Sequence, residues 1–422
     1  MAPVHNAIAA ACHSLGVIAP SEAELETLLT RPDHPSPLRF CSGGTTSRCA
    51  EDQHWTVDLS LGYRAIHLDT NRGRVRVGAG LTMGEIQAEL AKSDCMIPTG
   101  LSGLPGAGFL LSGGMGPLSR SLGLAIDHIQ SVEGIWGNGT RFCLEKPQGQ
   151  LHLSDHDHAG WWGLLGAGLF LAAVESFELN TTPLVPLIVQ QGCLNSADLA
   201  EMIQAAERFP EGLSLQWCWG SKREVMLVGR ADDPESEQRL EQLSHDFKLP
   251  TARCTRLFGL HQLPAFGALA MAPWQGAPPH QEVVGVLGPR WGDATTAVIH
   301  ALGDAMACRP HPRCAIASQQ LGGAVARETQ QQSAFIHRQA EWKPWITAAW
   351  SAGDHQGREQ ALAWLEQVWG ILQPHCPGVH LAQLHDHLPW HQRTLEGAFG
   401  HQLPFLRKLK QQLDPSGQLP GL

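Results

Sequence analysis

The sequence predicts an α+β chain folded as two domains. Its length, 422 residues, exceeds what one ordinary hydrophobic core encloses. Strand-like and helix-like segments alternate along the whole chain, and their character changes near Thr182-Pro183. Between 98 and 116 stand seven glycines (100, 103, 106, 108, 113, 114 and 116), a density that no regular element tolerates.

The elements follow in order. Residues 21–29 read as a helix with Ser21 as N-cap and Glu24 three places on. After Pro32, Pro35 and Pro37 comes a strand, Leu38 to Cys41, then a loop of small residues, Ser42-Gly43-Gly44-Thr45-Thr46-Ser47. Val57 to Leu59, Ala65 to Leu68 and Arg74 to Val77 read as short strands. Thr82 opens an amphipathic helix to Ala91, with Glu85 completing a capping box. Residues 127–145 form a hairpin turned at Gly137-Asn138-Gly139. Trp161 to Leu179 reads as a Gly-x-Gly turn and then an apolar strand. Residues 184–250 read strand, helix, strand, strand, helix, with the helices at 196–208 and 234–247. Pro and Gly punctuate 259–292, and a strand precedes Gly322-Gly323. A helix over 357–372 is broken by Pro374, and the tail 392–413 is helical up to Asp414-Pro415-Ser416-Gly417.

Composition narrows the class. A hydrophobic share of 43% against 17% charged residues suits a chain that buries a large core. A net charge of −10 without a Lys/Arg run argues against nucleic acid as a partner. No apolar run is long enough to span a membrane, and the N-terminus lacks the basic start of a signal peptide. Eleven scattered cysteines with no CxxC pair suggest reduced thiols and a cytoplasmic location.

Two segments carry chemistry. In the loop 42–47, glycines let backbone N–H groups approach an anion while Ser and Thr add hydroxyl donors, an arrangement suited to a diphosphate. Ordering the 98–116 run costs much conformational entropy, which a buried, elongated cofactor would offset. A nicotinamide-binding fingerprint is absent. Gly78-Ala79-Gly80, Gly106-Ala107-Gly108 and Gly166-Ala167-Gly168 all lack the third glycine at its place. His311 with Cys314, and His385, Asp386, His387 and His391, follow no metal-ligand spacing. Asp155-His156-Asp157-His158 reads as a polar loop, and Arg338 as an interface or surface cation.

Several of these segments together resemble a known family. Val75-Arg76-Val77-Gly78-Ala79-Gly80 with Thr82-Met83-Gly84-Glu85, Gly113-Gly114-Met115-Gly116 with Leu118-Ser119-Arg120, and Gly123 to Asp127 are similar to bacterial berberine-bridge-enzyme-like oxidoreductases. These belong to the vanillyl-alcohol oxidase and p-cresol methylhydroxylase superfamily. Gly166 to Phe177 resembles the strand laid along the flavin, with Ala172 where the family has Gly and Val174 matching. Gly322 to Val325, Ala334 to Arg338, Phe399-Gly400, Lys408 to Lys410 and Asp414-Pro415 extend the similarity over about residues 17–422.

The resemblance implies an FAD-binding PCMH-type domain over 1–183, completed by 376–422, and a substrate domain of antiparallel sheet backed by helices over 184–375. The implied FAD contacts are Ser42, Gly43, Gly44, Thr45, Thr46, Ser47, Gly100, Leu101, Ser102, Gly103, Gly106, Gly108, Gly113, Gly114, Gly116, Leu118, Val174 and Gln402. Many members tether the flavin through a His where this chain has Thr45, and some through a Cys in the 98–108 region. Here Cys95 lies several residues too early, so FAD is expected to bind without a covalent bond. The family's C-terminal Tyr-x-Asn is represented by His380-Leu381-Ala382, and the chain's one tyrosine, Tyr63, reads as a packing residue. The implied function is oxidation of a small organic substrate by hydride transfer to FAD, with dioxygen or another acceptor reoxidising it. His380 is the first candidate for the base and His385 the second. The missing Tyr-x-Asn leaves open a flavin-binding or scaffold protein of the same fold.

Overall fold

The computed structural model describes residues 15–30, 38–46, 49, 54–275, 277–327, 332–381 and 386–422. The architecture is α+β, as expected, and most of its strand pairings are antiparallel. A three-stranded parallel sheet joins Gly16–Ile18, Trp55–Asp58 and Leu38–Cys41, and its last strand runs directly into the loop at 42. A five-stranded antiparallel sheet follows, ordered Ile66–Asp69, Arg74–Gly78, Ala172–Asn180, Ile129–Trp136, Arg141–Glu145. Alternation places Val75 and Val77 in the core, while Arg74 and Arg76 pair outside with Glu178 and Glu133. The helix Met83–Ala91 has the expected capping box, the Thr82 N–H donating to Glu85 Oε2 at 2.9 Å.

The second half of the chain builds one eight-stranded antiparallel sheet. Its order is Cys254–Phe258, Pro186–Leu194, Arg223–Arg230, Leu213–Trp219, Ala315–Gln320, Trp342–Trp350, His280–Leu287, Gly378–His380. Trp342, Ile346 and Ala348 turn one face of this sheet into the main core, backed by the helices Ser196–Ala206, Thr295–Ala307 and His355–Leu372. The Trp364 indole N–H ties the third of these to the second through the Ala305 carbonyl, at 2.8 Å. Because Gly378–His380 pairs with Gly285–Leu287, the sheet reaches past the expected boundary at 376.

Buried ion pairs join the two halves. Arg120, next to the glycine-rich segment, bonds to Glu341 at 2.7 Å and to the carbonyls of Leu213 and Phe209. Arg338 is buried and pairs with Asp127 at 2.7 Å, an interface cation as the sequence suggested. The tail returns to the first half, where the Leu38 N–H donates to the Gln418 carbonyl and the Asn138 N–H to that of Leu413.

Three local expectations change. The turn expected at Gly166-Ala167-Gly168 lies at a kink that parts two helical stretches within His156–Leu171, with Leu165 and Gly166 leaving helical backbone and Gly166 at φ 129°. A Cβ at Gly166 would sit 2.6 Å from the Phe335 nitrogen, so glycine here admits the 334–335 backbone, whose N–H groups bond to Trp162 and Leu165. The tail is two helices, His391–Phe399 and Leu403–Leu413, parted at Gly400. Within 259–292, read only as punctuated, lies the strand His280–Leu287, and the helix Thr295–Ala307 and strand Trp342–Trp350 were not anticipated.

Candidate active site

The loop after Leu38–Cys41 lies against residues 104–106, and the fit is backbone on backbone. A Cβ on Gly43 would meet the Leu104 carbonyl oxygen at 2.2 Å and the Gly106 nitrogen at 2.4 Å. A Cβ on Gly106 would meet Ser42 Oγ at 2.2 Å. Ser42 Oγ–H donates to the Ala79 carbonyl at 2.7 Å and so anchors the loop to the end of strand Arg74–Gly78. Gly44 has φ 64°, the left-handed region that glycine enters at least cost.

From these loops a cavity of about 570 Å³ runs to the exposed face of the eight-stranded sheet. One end is walled by Ser42, Gly43, Gly44, Thr45, Thr46, Gly100, Leu101, Ser102, Gly106 and Gly108. Val174 and its neighbours Ala172 and Ala173 form the middle. The far end is the sheet: Gln281, Val283 and Gly285 from one strand, Gln319 from the next, Lys343, Trp345 and Thr347 from a third, and His380 from the edge. Strand alternation accounts for this wall, since residues two apart share a face. Arg39 also lines the cavity and is paired with Asp386.

Of the other expected FAD contacts, those among the described residues are not part of the cavity wall. Gly103 faces Gly84 Cα, which a Cβ would approach to 2.8 Å. Gly114 and Gly116 face Ala125 and the Thr99 carbonyl, and Gly113 faces Met115 and Phe335. Leu118 is buried in a small cluster with Met96 and Leu187, and Gln402 lies on the single turn between the tail helices. None of these six lines the cavity. At Gly103, Gly114 and Gly116 a Cβ would crowd neighbouring protein atoms within 3 Å. Ser47 and His385 lie outside the described residues.

His380 does reach the cavity, but as a hydrogen-bond donor. Its Nε2 is 2.8 Å from the Ser112 carbonyl, which accepts only from a protonated Nε2 and leaves the lone pair on Nδ1. Burial, helped by the nearby charge of Lys343, pushes the ring down to about 3. An imidazole so weakly basic holds a substrate proton poorly at neutral pH, which weakens the base role expected of it. Of the other histidines weighed for metal, His387 pairs with Glu282 at 2.7 Å and His311 packs on Trp274.

Sequence reasoning missed Arg39, Gln281, Gln319, Lys343, Trp345 and Phe266, all on the cavity wall. A signal existed for two of them: Lys343 and Trp345, together with Thr347, alternate with Pro344 and Ile346, the period of a strand with one polar face.

Comparison with known proteins agrees with this fold. Residues 15–144 match the FAD binding domain family. Physcomitrella patens BBE-like 1 superposes with a TM-score of 0.76 over 96% of this chain and 90% of its own, at 18% identity. The chain has the berberine bridge enzyme fold. Chitooligosaccharide oxidase shares that fold with a TM-score of 0.78 over 95% of this chain and 89% of its own, at 16% identity. An FAD-linked oxidoreductase of Penicillium janthinellum, janO, is 31% identical over 160 residues, 37% of this chain and 34% of that protein. The chain thus matches about a third of the length of such curated relatives. In this fold the first part of the chain carries an FAD-binding domain, and the cavity opens from that domain onto the second sheet.

The cavity suits FAD on its own terms. No Asp or Glu among the described residues lines it, so no described wall residue places a carboxylate where a diphosphate would lie. Around the Gly108 Cβ position there is open space for 4 Å, which leaves the backbone open to a ligand. No described helix is long and apolar enough to cross a membrane.

Proposed function

We propose that this protein is an FAD-dependent oxidoreductase that oxidises a small organic substrate by hydride transfer to non-covalently bound flavin. The observation that carries the reading is the single cavity joining the glycine loops to a polar, aromatic sheet face. When bound, FAD would supply the hydride acceptor, and dioxygen or another acceptor would reoxidise it. Ser42 to Thr46, Gly100 to Ser102, Gly106 and Gly108 would hold it, with Arg39 and Val174 beside it. Residues 1–183 with the tail would form the cofactor half and 184–375 the substrate half.

The chain's own part is to bind the substrate over the sheet face, exclude water and orient the reacting C–H. Trp345 and Phe266, ring centroids 6.0 Å apart, form an apolar wall, while Gln281, Gln319 and Thr347 offer hydrogen bonds. His380, whose Nε2 is held by the Ser112 carbonyl, lies at the sheet end where it would position the substrate.

Non-covalent binding rests on Thr45, whose hydroxyl cannot act as the imidazole or thiol a tether needs. The cavity's two thiols, Cys41 and Cys49, hydrogen-bond to one another. Ten described cysteines are free, in keeping with a reducing compartment such as the cytoplasm.

The test is anaerobic. The flavin-loaded protein is mixed with panels of small alcohols, amines and acids, and its visible absorbance is followed. Bleaching by a compound of one class supports turnover. A bound flavin that dithionite bleaches but no organic compound does would favour the non-catalytic flavin-binding reading, which the weakly basic His380 makes worth testing.

A further inference from the structure

The sheet end of the cavity holds a cation with no counterion among the described residues. Lys343 lies on the strand Trp342–Trp350 between two residues that face the core, and it shares its cavity face with Trp345 and Thr347. Its Nζ donates to Gln319 Oε1 at 3.3 Å and stands 5.0 Å from the centre of the Trp345 ring. No carboxylate among the described residues lies within ion-pair reach of it, and none lines the cavity. The chain treats its buried arginines differently. Arg39, Arg120 and Arg338 are paired with Asp386, Glu341 and Asp127.

An enclosed ammonium without an anion is costly, because water no longer solvates it fully. Enclosure pushes Lys343 down to about 8, which still leaves it mostly charged at neutral pH. Its surroundings specify what would complete it. Gln319 uses its amide oxygen on Lys343, so its amide N–H groups are left to donate. Trp345, Phe266 and Val283 supply a flat apolar surface beside this pair.

We propose that the substrate is a small aromatic carboxylate, its carboxylate held by the Lys343 ammonium and the Gln319 amide and its ring laid against Trp345 and Phe266. The proposal rests on the oxidoreductase reading for the word substrate. The recognition of an anion does not. Lys343 is then a specificity-determining residue: it selects the charged end of the molecule and fixes which C–H is presented.

Benzoate and benzamide differ in charge but hardly in shape, so they isolate the effect. Each is titrated into the purified, flavin-loaded protein by calorimetry and by quenching of tryptophan fluorescence. Benzoate should bind about tenfold or more tightly than benzamide, the scale of one charge-assisted hydrogen-bonded pair. Lys343→Met should erase that preference while keeping flavin absorbance and melting temperature. Lys343→Arg should retain part of it. Should the methionine variant not fold, Lys343→Gln carries the same comparison. Equal binding of the two probes, no measurable binding of benzoate at millimolar concentration, or a preference that survives the loss of Lys343 would overturn the proposal. A preparation that contains and accepts no FAD would fail the oxidoreductase reading by its spectrum, and calorimetry on that same protein would still decide the anion preference.

Discussion

His380 and the half-buried His337 contribute to how this protein should respond to acid. Burial pushes His337 down to about 4, and burial with the charge of Lys343 pushes His380 down to about 3. An unfolded chain returns both rings to about 6.5. Below that value the unfolded state takes up protons that the folded state refuses, so the stability these two rings contribute is full above pH 6.5 and falls as pH drops toward 4. By pH 5 each ring costs about 2 kcal/mol relative to pH 7. Melting midpoints measured from pH 7 to 4.5 should fall steadily, and His380→Gln should flatten the slope. A slope unchanged by that substitution would mean that His380 titrates normally in the folded protein.

The loops set the second expectation, and they separate two roles for glycine. Gly43 and Gly106 are glycines because two backbones touch there: a Cβ on Gly43 would meet the Leu104 carbonyl oxygen at 2.2 Å, and one on Gly106 the Gly43 nitrogen at 2.4 Å. Gly108 lines the same cavity but has nothing within 4 Å of its Cβ position. Gly43→Val should therefore force the loops apart, losing FAD and stability together. Gly108→Leu should fill the space that a ligand uses, losing FAD while the melting temperature of the apoprotein stays near that of the parent. Equal FAD affinity in the Gly108 variant would move the cofactor away from this loop. The contrast was not visible in the sequence. The glycine density at 98–116 announced close approach, but not whether a ligand or another loop makes it. At Gly113, Gly114 and Gly116 the partner is protein. The strands from Leu38 to Cys41 and from Arg74, and the Thr82 capping box, were legible because local patterns decide them. The sheet face that completes the site was not. Gln281, Gln319, Lys343 and His380 come from four strands more than twenty residues apart or brought together by crossovers, and only pairing aligns them.

For the whole molecule, the claim is that one cavity, closed by an FAD-binding domain on one side and a polar sheet face on the other, holds a flavin that is not covalently attached. Thr45 supplies no imidazole or thiol for a tether, and no acid among the described residues lines the cavity. Buried pairs such as Arg120 with Glu341 lock the two halves around it, since breaking either partner would leave a charge stranded in the interface. The most direct measurement is the visible spectrum of the purified protein, before acid precipitation and of the supernatant after it. The account predicts a yellow protein whose flavin passes entirely into the supernatant and is recovered there as FAD. Flavin that stays with the precipitate, or a colourless protein that added FAD does not turn yellow, would contradict it.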